Sequence, residues 1–313
     1  MPGLHHVTAI SGPPQANVDF YIGRLLQRLV KKTVNFDDPG TYHLYYGNRQ
    51  AEPGTILTFF PFVDAGPGRA GPGMASAVAY AVPKGGLNAW MLALAEADVA
   101  FDGPSERFGE QMISLKDPDG LRVELIETER GTGIPAAGDV PVDDGFHSVT
   151  LWLKQPDRTA RLLTDLFGYA SAEQASDEGG TRYRFLAQGQ GRGSAIDLLT
   201  SDAPSIGRQG AGTIHHVAFR ARDDDEQQAW QEALRAQGFD VTPQIDRQYF
   251  NAIYFREPGG VLFEIATDPP GFATDEPMDA LGQELKLPDQ HEPLRERIER
   301  VLPPITLPRG RGR

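Results

Sequence analysis

Cysteine is absent from this sequence of 313 residues. The chain therefore has no disulfide bonds, no thiolate nucleophile and no zinc–thiolate site, and its composition is compatible with a reducing compartment. Long apolar runs are also missing, and none approaches the roughly 20 residues that a membrane-spanning helix needs. The first residues, MPGL, lack the basic and apolar regions of a signal peptide. We therefore expect a cytoplasmic protein without a membrane partner.

Basic residues are in deficit, with 30 lysines and arginines against 43 aspartates and glutamates and a net charge of −13. Proteins that bind nucleic acids or anionic membranes present a basic face to the phosphates. We therefore expect neither partner. The length and the 40% hydrophobic content suffice for two domains, each with its own core. These properties are compatible with a homo-oligomer but do not require one.

Histidine is unevenly distributed, and four of the seven histidines form two His-His pairs. The pairs lie in similar apolar segments, LHHVTAI at residues 4–10 and TIHHVAF at residues 213–219. A third copy, GFHSVT at residues 145–150, has serine in place of the second histidine. Repeated strands of which one lacks a histidine indicate a duplicated scaffold with a single surviving metal site.

Four sequence units can be aligned, and each begins with a strand, continues with a helix and ends with strands joined by a glycine-containing turn. The predicted fold class is α+β, with four repeated βαβββ units paired into two half-barrels. The predicted domains are an N-terminal pair of units at 1–130, a C-terminal pair at 145–270 and an extension with a short helix at 271–313. The predicted helices span residues 14–29, 87–97, 156–166, 226–237 and 293–301.

Equivalent positions in the four units indicate which side chains could converge. The equivalent residues of the first strands are His6, Ala77, Ser148 and His216. The equivalent residues of the last strands are Thr58, Glu124, Leu198 and Glu264. Because neighbouring side chains in a strand point to opposite faces, only one histidine of each His-His pair is expected to face the concave side of the sheet.

The alignment yields one complete set of metal ligands: His6, His216 and Glu264. Two histidines and a carboxylate form the facial triad of non-haem Fe(II) sites, which leaves positions open for substrate and dioxygen. A glutamate in the apolar run VLFEIA would be costly to bury unless it bound a cation or a proton. Thr58 offers no fourth carboxylate, which favours oxygen chemistry over simple isomerisation. We expect units 4–62 and 214–268 to enclose the metal, with the two middle units forming a partner half-barrel.

Several longer segments are similar to those of one protein family: LHHVT at 4–8, YHLYYG at 42–47, IHHVAF at 214–219 and DRQYF at 246–250, which leads to IYFR at 253–256 and FE at 263–264. Through these segments the chain resembles the vicinal oxygen chelate superfamily over nearly its whole length. Within that superfamily it is most similar to the ring-cleaving extradiol dioxygenases that act on hydroquinones.

The resemblance implies Fe(II), or Mn(II) in its place, bound by His6, His216 and Glu264. It implies dioxygen as co-substrate and a small aromatic diol as substrate. Five further residues are implied in catalysis or in support of the ligands: Tyr254, His215, Arg247, Thr8 and His5. A tyrosine hydroxyl could hydrogen-bond the bound substrate, an imidazole that titrates near neutral pH could be a general acid–base, and a guanidinium could stabilise developing negative charge.

An apolar pocket for the ring would need aromatic walls. The candidate wall residues are Phe59, Phe60, Tyr80, Phe250 and Phe255.

Three other functions are compatible with the same scaffold. A glyoxalase-type metal-dependent lyase or isomerase uses a closed ligand set, to which Thr58 would contribute no carboxylate. A non-enzymatic binding protein would not need the triad. A catechol-specific extradiol dioxygenase differs only in the diol that fits its pocket, and only the family resemblance favours the para-diol.

Overall fold

Two eight-stranded sheets, each curled into a half-barrel, form the part of the chain that the structure describes. The computed structural model describes residues 1–129, 145–177, 179–189, 191–201 and 206–308. The predicted α+β class with paired half-barrels is confirmed. The boundary between the two predicted pairs of units and the last five residues of the extension lie outside the described residues.

The strands follow one another along the chain with few helices between them. They are β1 (Leu4–Ser11), β2 (Arg28–Val34), β3 (Tyr42–Gly47), β4 (Ile56–Pro61), β5 (Met74–Pro83), β6 (Phe101–Arg107), β7 (Glu110–Lys116), β8 (Arg122–Thr128), β9 (Phe146–Trp152), β10 (Ala170–Asp177), β11 (Gly180–Leu186), β12 (Ala195–Ser201), β13 (Thr213–Ala221), β14 (Ile245–Asp246), β15 (Phe250–Arg256) and β16 (Leu262–Pro270).

Each sheet combines two sequence units. The first sheet has the order β14-β15-β16-β13-β1-β4-β3-β2, so it joins the first unit to the last. The second has the order β10-β11-β12-β9-β5-β8-β7-β6 and joins the two middle units. The central strands of each sheet, β1 with β13 and β5 with β9, run antiparallel. The strand order on one side of the central pair is therefore repeated on the other side, and each sheet has an approximate two-fold axis at its centre.

Four α-helices lie between strands in the described part of the chain: α1 (Pro14–Gly23), α2 (Leu87–Glu96), α3 (Asp157–Arg161), which continues as a π-helical turn (Leu162–Leu166), and α4 (Asp224–Ala236). A fifth, α5 (Arg295–Val301), follows the last strand. The predicted helix 14–29 is too long. The chain turns at Leu26, which has a φ of 55°, and Leu29 lies in β2, where pairing with β3 replaces the helical hydrogen bonds. None of the described helices is both long and apolar enough to cross a bilayer.

The segment after β16 is attached to the first sheet through a buried lysine. The ammonium of Lys31 in β2 donates to Asp275 Oδ1 and to Glu276 Oε2, each at 2.5 Å. The other oxygen of Asp275 accepts from Gln248 Nε2 at 3.1 Å and from the Tyr249 hydroxyl at 2.9 Å. Because a buried ammonium needs close anionic partners, this cluster ties the extension and the β14–β15 turn to the edge of the sheet.

Candidate metal centre

Three potential ligand atoms meet at the centre of the first sheet. His6 lies in β1, His216 in β13 and Glu264 in β16, and these strands are neighbours. Glu264 Oε2 is 2.9 Å from His216 Nε2 and 3.5 Å from His6 Nε2, and the two Nε2 atoms are 3.4 Å apart. All three side chains are buried. The structure therefore brings together the three residues that the sequence predicts as metal ligands.

The chemistry of this cluster fits a divalent cation. Both carboxylate oxygens of Glu264 are buried without a well-aligned hydrogen bond from any described residue, a costly arrangement for an anion unless a cation compensates it. Three ligands at right angles, each about 2.1 Å from one ion, would be about 3.0 Å apart, close to the separations found. Two imidazoles and one carboxylate suit Fe(II) or Mn(II).

The protonation states also suit metal binding. Burial lowers the pKa of His216, which leaves a neutral imidazole with a lone pair to donate. Burial opposes ionisation of Glu264, but the two facing imidazoles hold the pKa of its carboxyl well below the usual range. Metal ligation requires these two forms, neutral imidazole and ionised carboxylate.

Two β-bulges turn both histidines of each pair to the same side. In the pairing of β1 with β13, His5 is the extra residue between Leu4 and His6, and His215 is the extra residue between Ile214 and His216. The expectation that only one histidine of each pair faces the concave side is therefore wrong, because it assumed a regular strand. Bulges re-aim side chains in this way near functional sites.

The outer histidines hydrogen-bond the inner ones. The Nδ1 atoms of His5 and His6 are 2.9 Å apart, and those of His215 and His216 are 2.8 Å apart. Each contact occupies the Nδ1 of the inner ring and leaves its Nε2 for the triad, as the hydrogen-bond partners of metal-bound histidines do. Burial lowers the pKa of His215 to about 4, so this ring is neutral at pH 7 rather than titrating near neutrality as the sequence suggested.

Tyr254 and Arg247 lie together beside the triad. Tyr254 is directly opposite Glu264 in the pairing of β15 with β16. Arg247 Nε donates to the Tyr254 hydroxyl at 3.3 Å, and the same guanidinium is 3.6 Å from the exposed carboxylate of Asp37. Burial, reinforced by the charge of Glu264, raises the pKa of Tyr254 well above its usual value, so the phenol stays protonated.

A hydrogen-bonded chain of four side chains occupies the opposite part of the same sheet. Thr8 Oγ1 is 3.2 Å from Thr58 Oγ1, His43 Nε2 is 2.6 Å from Thr58 Oγ1, and the Tyr45 hydroxyl is 2.8 Å from His43 Nδ1. Sequence reasoning identified Thr8 but missed His43 and Tyr45 as site residues. The available signal was the repeat itself, because β3 and β15 occupy equivalent places beside the last strands of their units.

The triad, Tyr254 with Arg247, and Tyr45 with His43 line a cavity of about 270 Å³. Its apolar walls are formed by Phe36, Phe60, Phe62, Phe250 and Ile10. Of the five predicted wall residues, Phe60 and Phe250 line the cavity, whereas Phe59 and Phe255 are packed in the core and Tyr80 lies in the second sheet. A small apolar cavity with a few converging polar groups is the usual form of a small-molecule site.

The second sheet carries different side chains at the equivalent positions. The last-strand residues that are equivalent by register are Glu264 and Thr58 in the first sheet and Glu124 and Asp197 in the second. The predicted equivalence of Leu198 is wrong by one residue. Arg107 donates to both oxygens of Glu124 at 2.7 and 3.1 Å. Arg184 donates to both oxygens of Asp197 at 2.8 and 3.0 Å.

Comparison with known proteins places this geometry in a family. The model of the Glyoxalase/Bleomycin resistance protein/Dioxygenase superfamily matches residues 3–125 and 145–265. A Bacillus subtilis (strain 168) protein that carries the name ring-cleaving dioxygenase MhqO is 49% identical over 308 residues, which cover 97% of this chain and 96% of the relative. The chlorohydroquinone/hydroquinone 1,2-dioxygenase of Sphingobium indicum is 36% identical over 310 residues, 96% of this chain and 95% of that enzyme.

Solved structures give the same relationship. The crystal structure of a Bacillus subtilis protein described as a dioxygenase superimposes with a TM-score of 0.89 at 47% identity and covers 98% of both chains. Glyoxalase I from Zea mays superimposes with a TM-score of 0.62 at 13% identity, over 85% of this chain and 92% of that one. The latter similarity concerns the fold alone.

Proposed function

Because the chain belongs to the Glyoxalase/Bleomycin resistance protein/Dioxygenase superfamily, we propose that it is a non-haem Fe(II) ring-cleaving dioxygenase that acts on hydroquinone-like aromatic diols. The observation that carries this proposal is the buried cluster of His6, His216 and Glu264, in which the carboxylate has no well-aligned hydrogen bond from a described residue. The names of the full-length relatives support ring cleavage, and one of them supports a hydroquinone substrate.

In this proposal units 4–62 and 214–268 enclose the metal, and His6, His216 and Glu264 hold it. Fe(II), or Mn(II) in its place, would supply a Lewis acid for the diol and a path for electrons from the ring to dioxygen. Thr58 occupies the position at which a fourth carboxylate would close the ligand set. Its hydroxyl is engaged by His43 instead, which favours a site that accepts both substrate and dioxygen.

In this proposal the side chains around the triad bind the diol and orient the ligating rings. The Tyr254 phenol is protonated and lies beside Glu264, so it can donate to a diol oxygen. Arg247 stabilises negative charge that develops near that phenol. His5 and His215 fix the orientation of the two ligating rings through their Nδ1 contacts. Thr8 holds Thr58 in place. The phenylalanine walls exclude water from the ring.

Oxygen consumption tests the proposal. The protein is reconstituted anaerobically with Fe(II) and given hydroquinone and catechol in separate assays, with His216→Ala as the control. We expect oxygen uptake and a ring-opened chromophore with hydroquinone, both lost in the variant. Uptake with catechol alone would reassign the enzyme to ortho-diols. No uptake with either diol, despite stoichiometric iron, would refute the dioxygenase and favour a lyase or isomerase of the glyoxalase type.

A further inference from the structure

The approximate two-fold axis of the first sheet relates two tyrosines. Tyr254 is opposite Glu264 in the β15–β16 pairing, and Tyr45 is opposite Thr58 in the β3–β4 pairing. Glu264 and Thr58 are themselves equivalent, so the two phenols occupy matching positions on the two halves of the sheet. Tyr254 has a basic partner in Arg247, whereas Tyr45 has His43.

Of the pair Tyr45 and His43, only Tyr45 can form a further hydrogen bond. His43 Nδ1 is 2.8 Å from the Tyr45 hydroxyl and His43 Nε2 is 2.6 Å from Thr58 Oγ1, so both ring nitrogens are occupied. In the described part of the chain, the Tyr45 hydroxyl has a hydrogen bond to His43 alone. A hydroxyl both donates and accepts, and this one therefore retains capacity for a second partner.

The tyrosine is held rigidly at the wall of the cavity. Both Tyr45 and His43 line the cavity that contains the triad. The Tyr45 ring packs against the rings of Phe272 at 5.2 Å and Tyr249 at 6.3 Å between centroids, and His43 packs against Phe60 at 4.4 Å. Burial raises the pKa of Tyr45 well above its usual value, so the group that faces the cavity is a neutral phenol.

The two classes of diol make different demands on such a cavity. The hydroxyls of an ortho-diol are adjacent, and both can reach one metal ion. The second hydroxyl of a para-diol lies across the ring and needs a hydrogen-bond partner of its own, because an unpaired hydroxyl in an apolar cavity is costly. Besides Tyr254 and Arg247, the cavity lining includes a second polar pair, Tyr45 and His43.

We propose that Tyr45 hydrogen-bonds the hydroxyl of a para-diol that does not bind the metal, and that His43 is the positioning residue that orients Tyr45 for this contact. The inference rests on the proposed function, since it assumes that an aromatic diol enters this cavity. It assigns the preference for para-diols over ortho-diols to two residues of β3.

The test compares binding of two probes, hydroquinone and phenol, which differ in the second hydroxyl. Dissociation constants are measured calorimetrically on the anaerobic Fe(II)-loaded protein, for the wild type, Tyr45→Phe and Tyr46→Phe. Tyr46 is the matched control, because it follows Tyr45 in β3 but points into the core, where its hydroxyl donates to Asn17 at 2.9 Å. We expect the wild type and Tyr46→Phe to bind hydroquinone about tenfold or more tightly than phenol.

Tyr45→Phe should reduce that preference to near unity while leaving the affinity for phenol unchanged. A preference that survives in Tyr45→Phe, or a wild type without any preference, would overturn the assignment. If Tyr45→Phe does not fold, His43→Gln serves instead, since it keeps the phenol but removes the ring that orients it. A partial loss of the preference is then expected, and an unchanged preference would overturn the proposal.

Oxygen uptake by the same preparations keeps the two proposals distinguishable. A hydroquinone preference that depends on Tyr45, together with no oxygen uptake, would support the Tyr45 contact and refute ring cleavage. Oxygen uptake together with a hydroquinone preference that Tyr45→Phe leaves unchanged would support ring cleavage and refute the Tyr45 contact.

Discussion

The two sheets have equivalent strand orders, but their buried carboxylates have different hydrogen-bond partners. In the second sheet, Glu124 and Asp197 each receive two hydrogen bonds from an arginine, Arg107 and Arg184 respectively. In the first sheet, the equivalent Glu264 faces imidazoles and has no well-aligned hydrogen bond from a described residue. In the second sheet the positive charges beside the carboxylates belong to arginine side chains, whereas Glu264 in the first sheet is a candidate ligand of a metal ion.

Both sheets have β-bulges at equivalent positions, but the residues that follow the bulges differ between the sheets. The second sheet has extra residues at Ser76 and His147, which are equivalent to those at His5 and His215. His147 Nδ1 is 3.0 Å from the hydroxyl of Ser148, the residue equivalent to an inner histidine of the first sheet. The bulges therefore occur in both sheets, but the residue after each bulge is histidine in the first sheet and Ala77 or Ser148 in the second. We propose that this difference decides which sheet can hold a metal.

The largest expected effect is on metal binding. His216→Ala should lower oxygen uptake more than about 1,000-fold, because loss of a ligand should exceed the 10–100-fold cost of losing a residue that only hydrogen-bonds a ligand. The matched variant in the second sheet, Ser148→Ala, should leave iron content and oxygen uptake unchanged. Iron is measured after anaerobic reconstitution and desalting. Full iron retention by His216→Ala would contradict the assignment of this ligand.

A second prediction concerns the stability of the metal-free protein. Glu124→Gln should lower the free energy of unfolding by about 3 kcal/mol, because it removes the buried anionic partner of the Arg107 guanidinium, which keeps only the partly exposed Asp177 at 3.2 Å. Glu264→Gln should lower the free energy of unfolding by less than Glu124→Gln does, because Glu264 faces imidazoles and its loss leaves no buried guanidinium without that partner. Both are measured by denaturant unfolding in the presence of a chelator. Equal destabilisation by the two variants would contradict the inference that the two sheets stabilise their buried carboxylates differently.

The smallest expected effect is a pH dependence in the second sheet. Burial opposes ionisation of Glu124, but Arg107 brings its pKa below the ordinary value, and Arg184 does the same for Asp197. A lowered folded-state pKa gives stability that is present above the unfolded-state pKa and is lost as the pH falls through the folded-state value. The stability gap between the wild type and Glu124→Gln should therefore narrow from about pH 7 to about pH 3. A constant gap would show that Glu124 does not titrate differently in the folded state.

The repeat made much of this molecule predictable. Residue type and spacing within LHHVT and TIHHVAF indicated the two candidate ligand histidines, and a glutamate in an apolar run indicated the third candidate; the structure brings the three side chains together. The same repeats predicted four units and the fold class. These features depend on residue type and spacing within short segments, which can be read from one sequence.

The errors arose where strand register decided the outcome. The bulges at His5 and His215 depend on how β1 meets β13 across 200 residues of sequence, and periodicity within one strand does not reveal them. The choice of Leu198 over Asp197 is a one-residue slip, which exchanges the two faces of a strand. Tyr45 and His43 escaped notice because their roles depend on the pairing of β3 with β4.

Anomalous scattering at the iron edge from crystals of the anaerobically Fe(II)-loaded protein tests the central difference between the sheets most directly. We expect one strong peak per chain, within bonding distance of His6, His216 and Glu264, and no peak between Glu124 and Asp197. A peak at the second pair, or none at the first, would contradict this expectation.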